Sequence, residues 1–343
     1  MSITPAFNGS ALPYVFDYEA EVSAAWRDFP DSKDKLYFLD ICRGDNVLVY
    51  PAEDSGKAVA EWYVANHGPL WKLVDEYRKK KTSCMLPTGG SVSYLMLYTG
   101  KHAASLLSST ATVAQELAFV FDHEMGHAVV PDGKAPMGQV LRAECVADAF
   151  AVIRHFQRFG AESDALSTLA TGRAFYMIFK EGRWDHFTSP VVSALLAQRH
   201  DIDWRAMTPA ETVAFAHKTA LAHEMEYRTL ISLYKDFDRY HSKLATLEAG
   251  DDKYLRMLAD KALNVATDKN MARLAAAALD FCFAGNMPAL PMDDPYWQAL
   301  RAPLARKHQE LVNTPYALKE EPPAYSRYGN NGWGCAKKWG TGR

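Results

Sequence analysis

The spacing of apolar positions changes partway along the chain. In the first hundred residues it is short-ranged and rich in β-formers. Leu36-Tyr37-Phe38-Leu39-Asp40-Ile41 and Val47-Leu48-Val49-Tyr50 flank the turn-like Arg43-Gly44-Asp45-Asn46, which predicts a hairpin. Ala58 to Lys79 reads as a helix, and Ser91 to Tyr98, after a Gly-Gly turn, as a further strand. After Gly100 the period becomes helical. One helix is expected from about Ala103 to Val130, stopped by Pro131-Asp132-Gly133, and a second from about Met137 to Phe159, stopped by Gly160. More helices are expected over 164–180, 190–199, 209–247, 253–285 with a break near 268, and 294–313. Ser189-Pro190 and Thr208-Pro209 each place a capping residue before a proline at the first helical position, and Glu211 completes a capping box with Thr208. From Lys319 onward Pro, Gly, Asn and basic residues follow without period, which predicts a mobile or extended tail. The expectation is an α+β fold, mostly helical, with a small N-terminal sheet. Its divisions fall at 1–250, 251–315 (helical) and 316–343 (tail).

Composition narrows the function classes. The 343 residues are 48% hydrophobic and 23% charged, ordinary for a globular chain able to bury a sizeable core. A net charge of -3 gives no basic field for nucleic acid or an anionic membrane. The run Arg78-Lys79-Lys80-Lys81 is short and reads as a solvated helix end. No stretch reaches the ~18 apolar residues of a membrane span, and Met1 to Tyr18 shows no basic start followed by an apolar run. The five cysteines form no CxxC pair, which argues against a disulfide framework or a cysteine zinc site and for a reducing, cytoplasmic setting.

The candidate chemistry lies in His123-Glu124-Met125-Gly126-His127. Histidines four apart on a helix share one face and can share one metal ion. Glu124 beside them can take a proton from a water at an open metal position, the role of the glutamate in HExxH. The flanking Leu117, Val120, Phe121, Ala128 and Val129 are apolar, which a merely solvated helix would not need, and Gly126 leaves room for close approach. A catalytic zinc needs a third protein ligand. No further histidine follows soon after His127, but Glu144 and Asp148 are also four apart, on the next helix. One reading makes Glu144 the ligand and Asp148 the acceptor of a ligand histidine's N–H. The other makes them a solvated stripe near Arg142 and Arg154. Should Glu144 not be the ligand, His155 and Asp148 are the next candidates.

His123-Glu124-Met125-Gly126-His127 followed by Glu144-Cys145-Val146-Ala147-Asp148 resembles the gluzincin pattern, HExxH with a downstream ExxAD-like helix. The likeness covers about 120–151. The gap from His127 to Glu144 is shorter than in thermolysin-like members. It is closer to compact HExxH proteins whose third ligand begins an ExxAxxFA helix, which Glu144, Ala147 and Phe150-Ala151 match loosely. The resemblance implies a zincin-like catalytic core, zinc held by His123, His127 and Glu144, Glu124 as general base, and Asp148 supporting a ligand. It further implies a strand above the motif helix that pairs with extended peptide, and Ser91 to Tyr98 is the expected one.

An oxyanion donor should stand nearby. His186, in a loop before a helix, is the first candidate, with Tyr176, His217, His223 and Tyr227 behind it. His223-Glu224-Met225-Glu226-Tyr227 mimics the motif but lacks its second histidine and reads as a polar helix face. The expected function is therefore a zinc metallopeptidase acting on a peptide or protein. The alternatives are a zinc-dependent amidohydrolase on a non-peptide amide and a zincin-fold regulatory or binding protein.

Overall fold

The computed structural model describes residues 14–32, 36–42, 48–50, 68–87, 93–100, 106–133, 140–286, 290–312, 314 and 316. Among them the chain is mostly helical, with α1 over Tyr18–Asp28 and α2 over Gly68–Lys80 flanking the first strands. The site region follows as α3 (Val113–Val129) and α4 (Val140–Phe159). The remaining helices are α5 (Leu169–Phe179), α6 (Ser189–Ala197), α7 (Pro209–His223), α8 (Tyr227–Asp236), α9 (Leu244–Glu248), α10 (Lys253–Leu263), α11 (Lys269–Phe283) and α12 (Pro295–Leu311). Four strands, β1 (Leu36–Asp40), β2 (Leu48–Tyr50), β3 (Cys84–Pro87) and β4 (Ser93–Leu97), form one sheet in the order β2-β1-β4-β3.

The expected pairing of 36–41 with 47–50 is found: β1 and β2 run antiparallel, with Leu39 opposite Val49. β4 lies parallel to β1 and is interior. Its five residues are all buried because each face of the sheet is covered. Leu36, Phe38, Leu95 and Leu97 join the main core under the helices, while Leu39, Ile41, Tyr94 and Met96 pack with Val74 of α2 on the other side. The strand at the sheet end nearer the motif helix is β3, antiparallel to β4 with Met85 opposite Leu95. At four residues ending in proline it is too short to show an alternating pattern.

Several helix boundaries differ from expectation for local reasons. α3 begins at Val113, ten residues late, because Thr112 and Gln115 form a capping box there. The single helix expected over 209–247 is three. The chain leaves α7 at Glu224, whose carboxylate takes a bidentate ion pair from Arg142, and Glu226 caps α8 by accepting from the Thr229 N–H. The break near 268 is real, with Asp268 capping α11. The Thr208–Glu211 capping box is present. Ser189 is not a cap: Thr188 precedes α6, and its hydroxyl is directed to Asp148 instead of a helix N–H. Residues 58–67, the turn 43–46 and the tail lie outside the described residues.

One core runs from Tyr18 on α1 to Leu304 on α12, so the helices after residue 250 share it with the site helices. Phe281 of α11 lies 5.4 Å from Phe175 of α5. A Cβ on Gly172 would come within 2.8 Å of the Phe281 ring, which explains glycine at that crossing. Cys42, Cys145 and Cys282 carry free thiols. Cys84 is disulfide-bonded, so the expectation of unpaired cysteines fails there. No described helix is long and apolar enough to cross a membrane.

Candidate metal centre

α3 turns Leu117, Phe121 and Met125 into the core and thereby sets His123 and His127, one turn apart, against α4. The close approach of the two helices needs Gly126: a Cβ there would stand 2.7 Å from the Ala147 Cα. The imidazoles sit edge to face, with Nε2 atoms 3.3 Å apart. Glu144 reaches in from α4, its Oε2 3.5 Å from His123 Nε2 and its Oε1 3.6 Å from His127 Nε2. The ligand atoms of His123, His127 and Glu144 all lie within 4.8 Å of one another, the only such group of three among the described residues.

These separations discriminate between two uses of the cluster. Charge-assisted hydrogen bonds close to about 2.7–2.9 Å. Donors sharing a tetrahedral ion at about 2.0–2.1 Å stand ~3.3 Å apart. The three contacts match the second figure. Glu144 Oε2 is moreover buried with no hydrogen-bond partner, an orphaned atom that a cation would satisfy. Two imidazoles and a carboxylate are also a donor set suited to zinc. Arg142 and Arg154, the neighbours that would have made Glu144 part of a solvated stripe, pair elsewhere. Arg142 goes to Glu224, and Arg154 to Asp28 and Asp122.

The groups behind the ligands fix their tautomers. His123 Nδ1–H donates to Asp148 Oδ1 at 2.8 Å, and His127 Nδ1–H donates to the Gly133 carbonyl at 3.0 Å. Each bond leaves Nε2 facing the cluster. Asp148 is fully buried and fully satisfied. Arg173 donates Nη2–H to Oδ1 at 2.6 Å and Nε–H to Oδ2 at 2.8 Å, and the Thr188 hydroxyl donates to Oδ2. Gly133 follows Asp132, which adopts a left-handed φ of 63°. A side chain on Gly133 would stand 2.7 Å from the Gly126 and His127 carbonyls, so the turn bearing the accepting carbonyl presses directly on the end of α3.

Glu124 is buried beside the cluster, with the Met85 backbone of β3 close to its carboxylate. Both β3 and the expected Ser91–Tyr98 strand, β4, lie against the motif helix, but β4 is interior to the sheet and the free edge belongs to β3. His186 lies in the 3-10 turn Arg183–His186. Its Nδ1–H donates to the buried Asp185 at 2.6 Å, and its Nε2 stands 3.4 Å from Glu144 Oε2. The remaining candidates serve elsewhere. His155 bonds the Ser163 hydroxyl at 2.8 Å, His217 bonds Asp132 at 3.2 Å, and Tyr227 packs edge-on against Trp184. Tyr176 carries Lys180 over its ring. His223 is exposed, and Glu224 is taken by Arg142.

Burial lowers the His123 imidazole, but its hydrogen bond to Asp148, its approach to Glu144 and the charges of both outweigh this and carry it to about 10. Burial alone would raise Glu144; the charges of His186, His127 and His123 hold it well below its ordinary value. Burial keeps Glu124 above the ordinary carboxylate range, against the charges of His123 and His127. In the metal-free protein near neutral pH, His123 therefore carries a proton on Nε2 that a metal must displace. Zinc uptake at pH 7 is expected to release about one proton per ion from this residue. The binding enthalpy should then change with the buffer's ionisation enthalpy, and apparent affinity should rise with pH until about 10. Calorimetry in phosphate and in Tris checks this; identical enthalpies would contradict it.

Arg173, Thr188, Gly133, Asp185 and Arg183 were not among the residues singled out from the sequence. Only Arg173 had left a signal, as the one charge in the apolar run Leu169-Ala170-Thr171-Gly172-Arg173-Ala174-Phe175. No family model matches the chain, and neither a curated protein nor a solved structure matches it.

Proposed function

We propose that the chain is a zinc-dependent peptidase of the gluzincin type, with His123, His127 and Glu144 as metal ligands. The observation that carries this reading is the three-donor cluster with its orphaned Glu144 oxygen and a buried carboxylate, Glu124, next to it on the same helix. Zinc held there would supply Lewis-acid chemistry, easing deprotonation of water and polarising the scissile carbonyl. Glu124 takes the water's proton on its carboxylate and passes it to the leaving nitrogen. Its burial, which favours the protonated form, suits that transfer. Asp148 and Gly133 hold the two imidazoles in the tautomer that binds metal. Asp185 holds the His186 ring beside Glu144, where it would stand next to the developing oxyanion. A peptide lying along the outer edge of β3 would present its scissile bond to Glu124 through main-chain hydrogen bonds.

The test is a digest of a mixed peptide library by the zinc-loaded full chain, with metal content measured on the same sample. Cleavage that stops on chelation and returns with zinc supports the reading. Stoichiometric zinc with no peptide cut overturns it and leaves a non-peptide amide or a binding role.

A further inference from the structure

Next to the cluster stands a cation with no counter-charge. Arg183 is half-buried, and among the described residues no carboxylate pairs with it. Its hydrogen bonds use Nη1 alone, toward His186, with Nη1 2.9 Å from Nε2. Nε and Nη2 are left as an open two-donor edge. The carboxylate beside it, Asp185, is already bound by His186 Nδ1. A half-buried guanidinium with no carboxylate partner of its own can take its counter-charge from a ligand. The contrast with its surroundings is clear. Arg142, Arg154, Arg158, Arg173 and Arg256 all have carboxylate partners, and Lys80 has Glu76.

The location of this edge bears on the site. Arg183 is one contact from His186, which is one contact of 3.4 Å from the ligand Glu144. The Tyr77 phenol of α2 lies within electrostatic range of both Glu124 and Arg183. Lys180 lies within electrostatic range of both Arg183 and Lys80, with Glu248 also in range of Lys180 and Glu76 paired to Lys80.

We propose that Arg183 receives a carboxylate of the substrate close to the scissile bond, bidentately on its Nε and Nη2 edge, so that the enzyme selects peptides bearing an anion beside the cut. This rests on the peptidase reading. The reach agrees: the residue after the scissile carbonyl places its own carboxyl only ~3.8 Å further along the chain. A planar fork matches a carboxylate in a way that a lysine ammonium does not. The carboxylate is either a free C-terminus or an acidic side chain flanking the bond.

Two measurements test it. In the first, zinc-loaded wild type, Arg183→Met and Arg183→Lys act on matched peptides that differ in a free or amidated C-terminus, or in Glu against Gln beside the cut. Wild type should prefer one of the two anionic forms by ~10- to 100-fold in kcat/KM. The preferred pair identifies the carboxylate's source. Arg183→Met should erase the preference to within about threefold and Arg183→Lys should keep part of it, both with wild-type zinc content. Equal cleavage of charged and neutral partners by wild type overturns the proposal, as does a preference that survives in Arg183→Met. In the second, N-acetylphenylalanine and its amide are titrated calorimetrically into zinc-depleted wild type and Arg183→Met, which removes direct ligation to metal. The acid should bind wild type ~10-fold more tightly than the amide and lose that margin in the variant. This result without any peptide cleavage would sink the peptidase reading while sustaining the carboxylate site. Cleavage without it would do the reverse.

Discussion

Replacing Glu124 by glutamine is expected to lower kcat for peptide hydrolysis by ~10³- to 10⁴-fold while the protein still binds one zinc per chain. The change preserves the shape and size of the buried side chain. It removes the basic oxygen that takes the proton in the proposed mechanism. Glu124 is not one of the three clustered donors, so metal affinity should move little. Parallel kinetics and metal analysis on wild type and Glu124→Gln separate the two effects. Loss of zinc along with activity would mean that Glu124 is a ligand. Retained activity would mean that another group is the base.

The second large effect is expected at Asp148. Truncating it to alanine should destabilise the metal-free protein by about 3–5 kcal/mol, the usual cost of stranding one partner of a buried ion pair. Arg173 has only 11% of its side chain exposed and gives Asp148 two hydrogen bonds, and Thr188 gives a third. All three would lose their acceptor together. His123 would also lose the group that fixes its tautomer, so zinc affinity should fall ~10- to 100-fold. Urea denaturation of metal-free protein measures the first effect without the stabilisation that bound metal adds, and a competitive chelator titration measures the second. A change below about 1 kcal/mol would show that Arg173 finds another anion.

The centre was legible in the sequence where its geometry is local. His123 with His127, and Glu144 with Asp148, are each pairs at i, i+4, and helix periodicity alone puts both members on one face. Pro131-Asp132-Gly133 marks the end of the first helix, which stops at Val129. The turn does more than that, since its Gly133 carbonyl orients His127. That role depends on a backbone direction that no residue type announces. Arg173 and Thr188 lie 25 and 40 positions from Asp148, and only tertiary folding brings them to it. β3 was missed and its neighbour β4 was assigned the edge, because Cys84-Met85-Leu86-Pro87 carries too few residues for a period-two signal. The helix expected over 209–247 failed for a related reason. Its apolar spacing continues through 224–226, but a long-range ion pair to Arg142 and a local cap at Glu226 compete with helix continuation there and win.

The central claim is that His123, His127 and Glu144 together bind one zinc ion. X-ray absorption at the zinc edge, on the full chain purified without chelator and reconstituted to saturation, tests it most directly. The account predicts one zinc per chain, with two imidazole nitrogens at about 2.0–2.1 Å and only oxygen besides. It also predicts that Glu144→Ala weakens binding while keeping the two-imidazole signature. A protein that takes up no zinc, a shell containing sulfur, or an unaltered site in Glu144→Ala would contradict it.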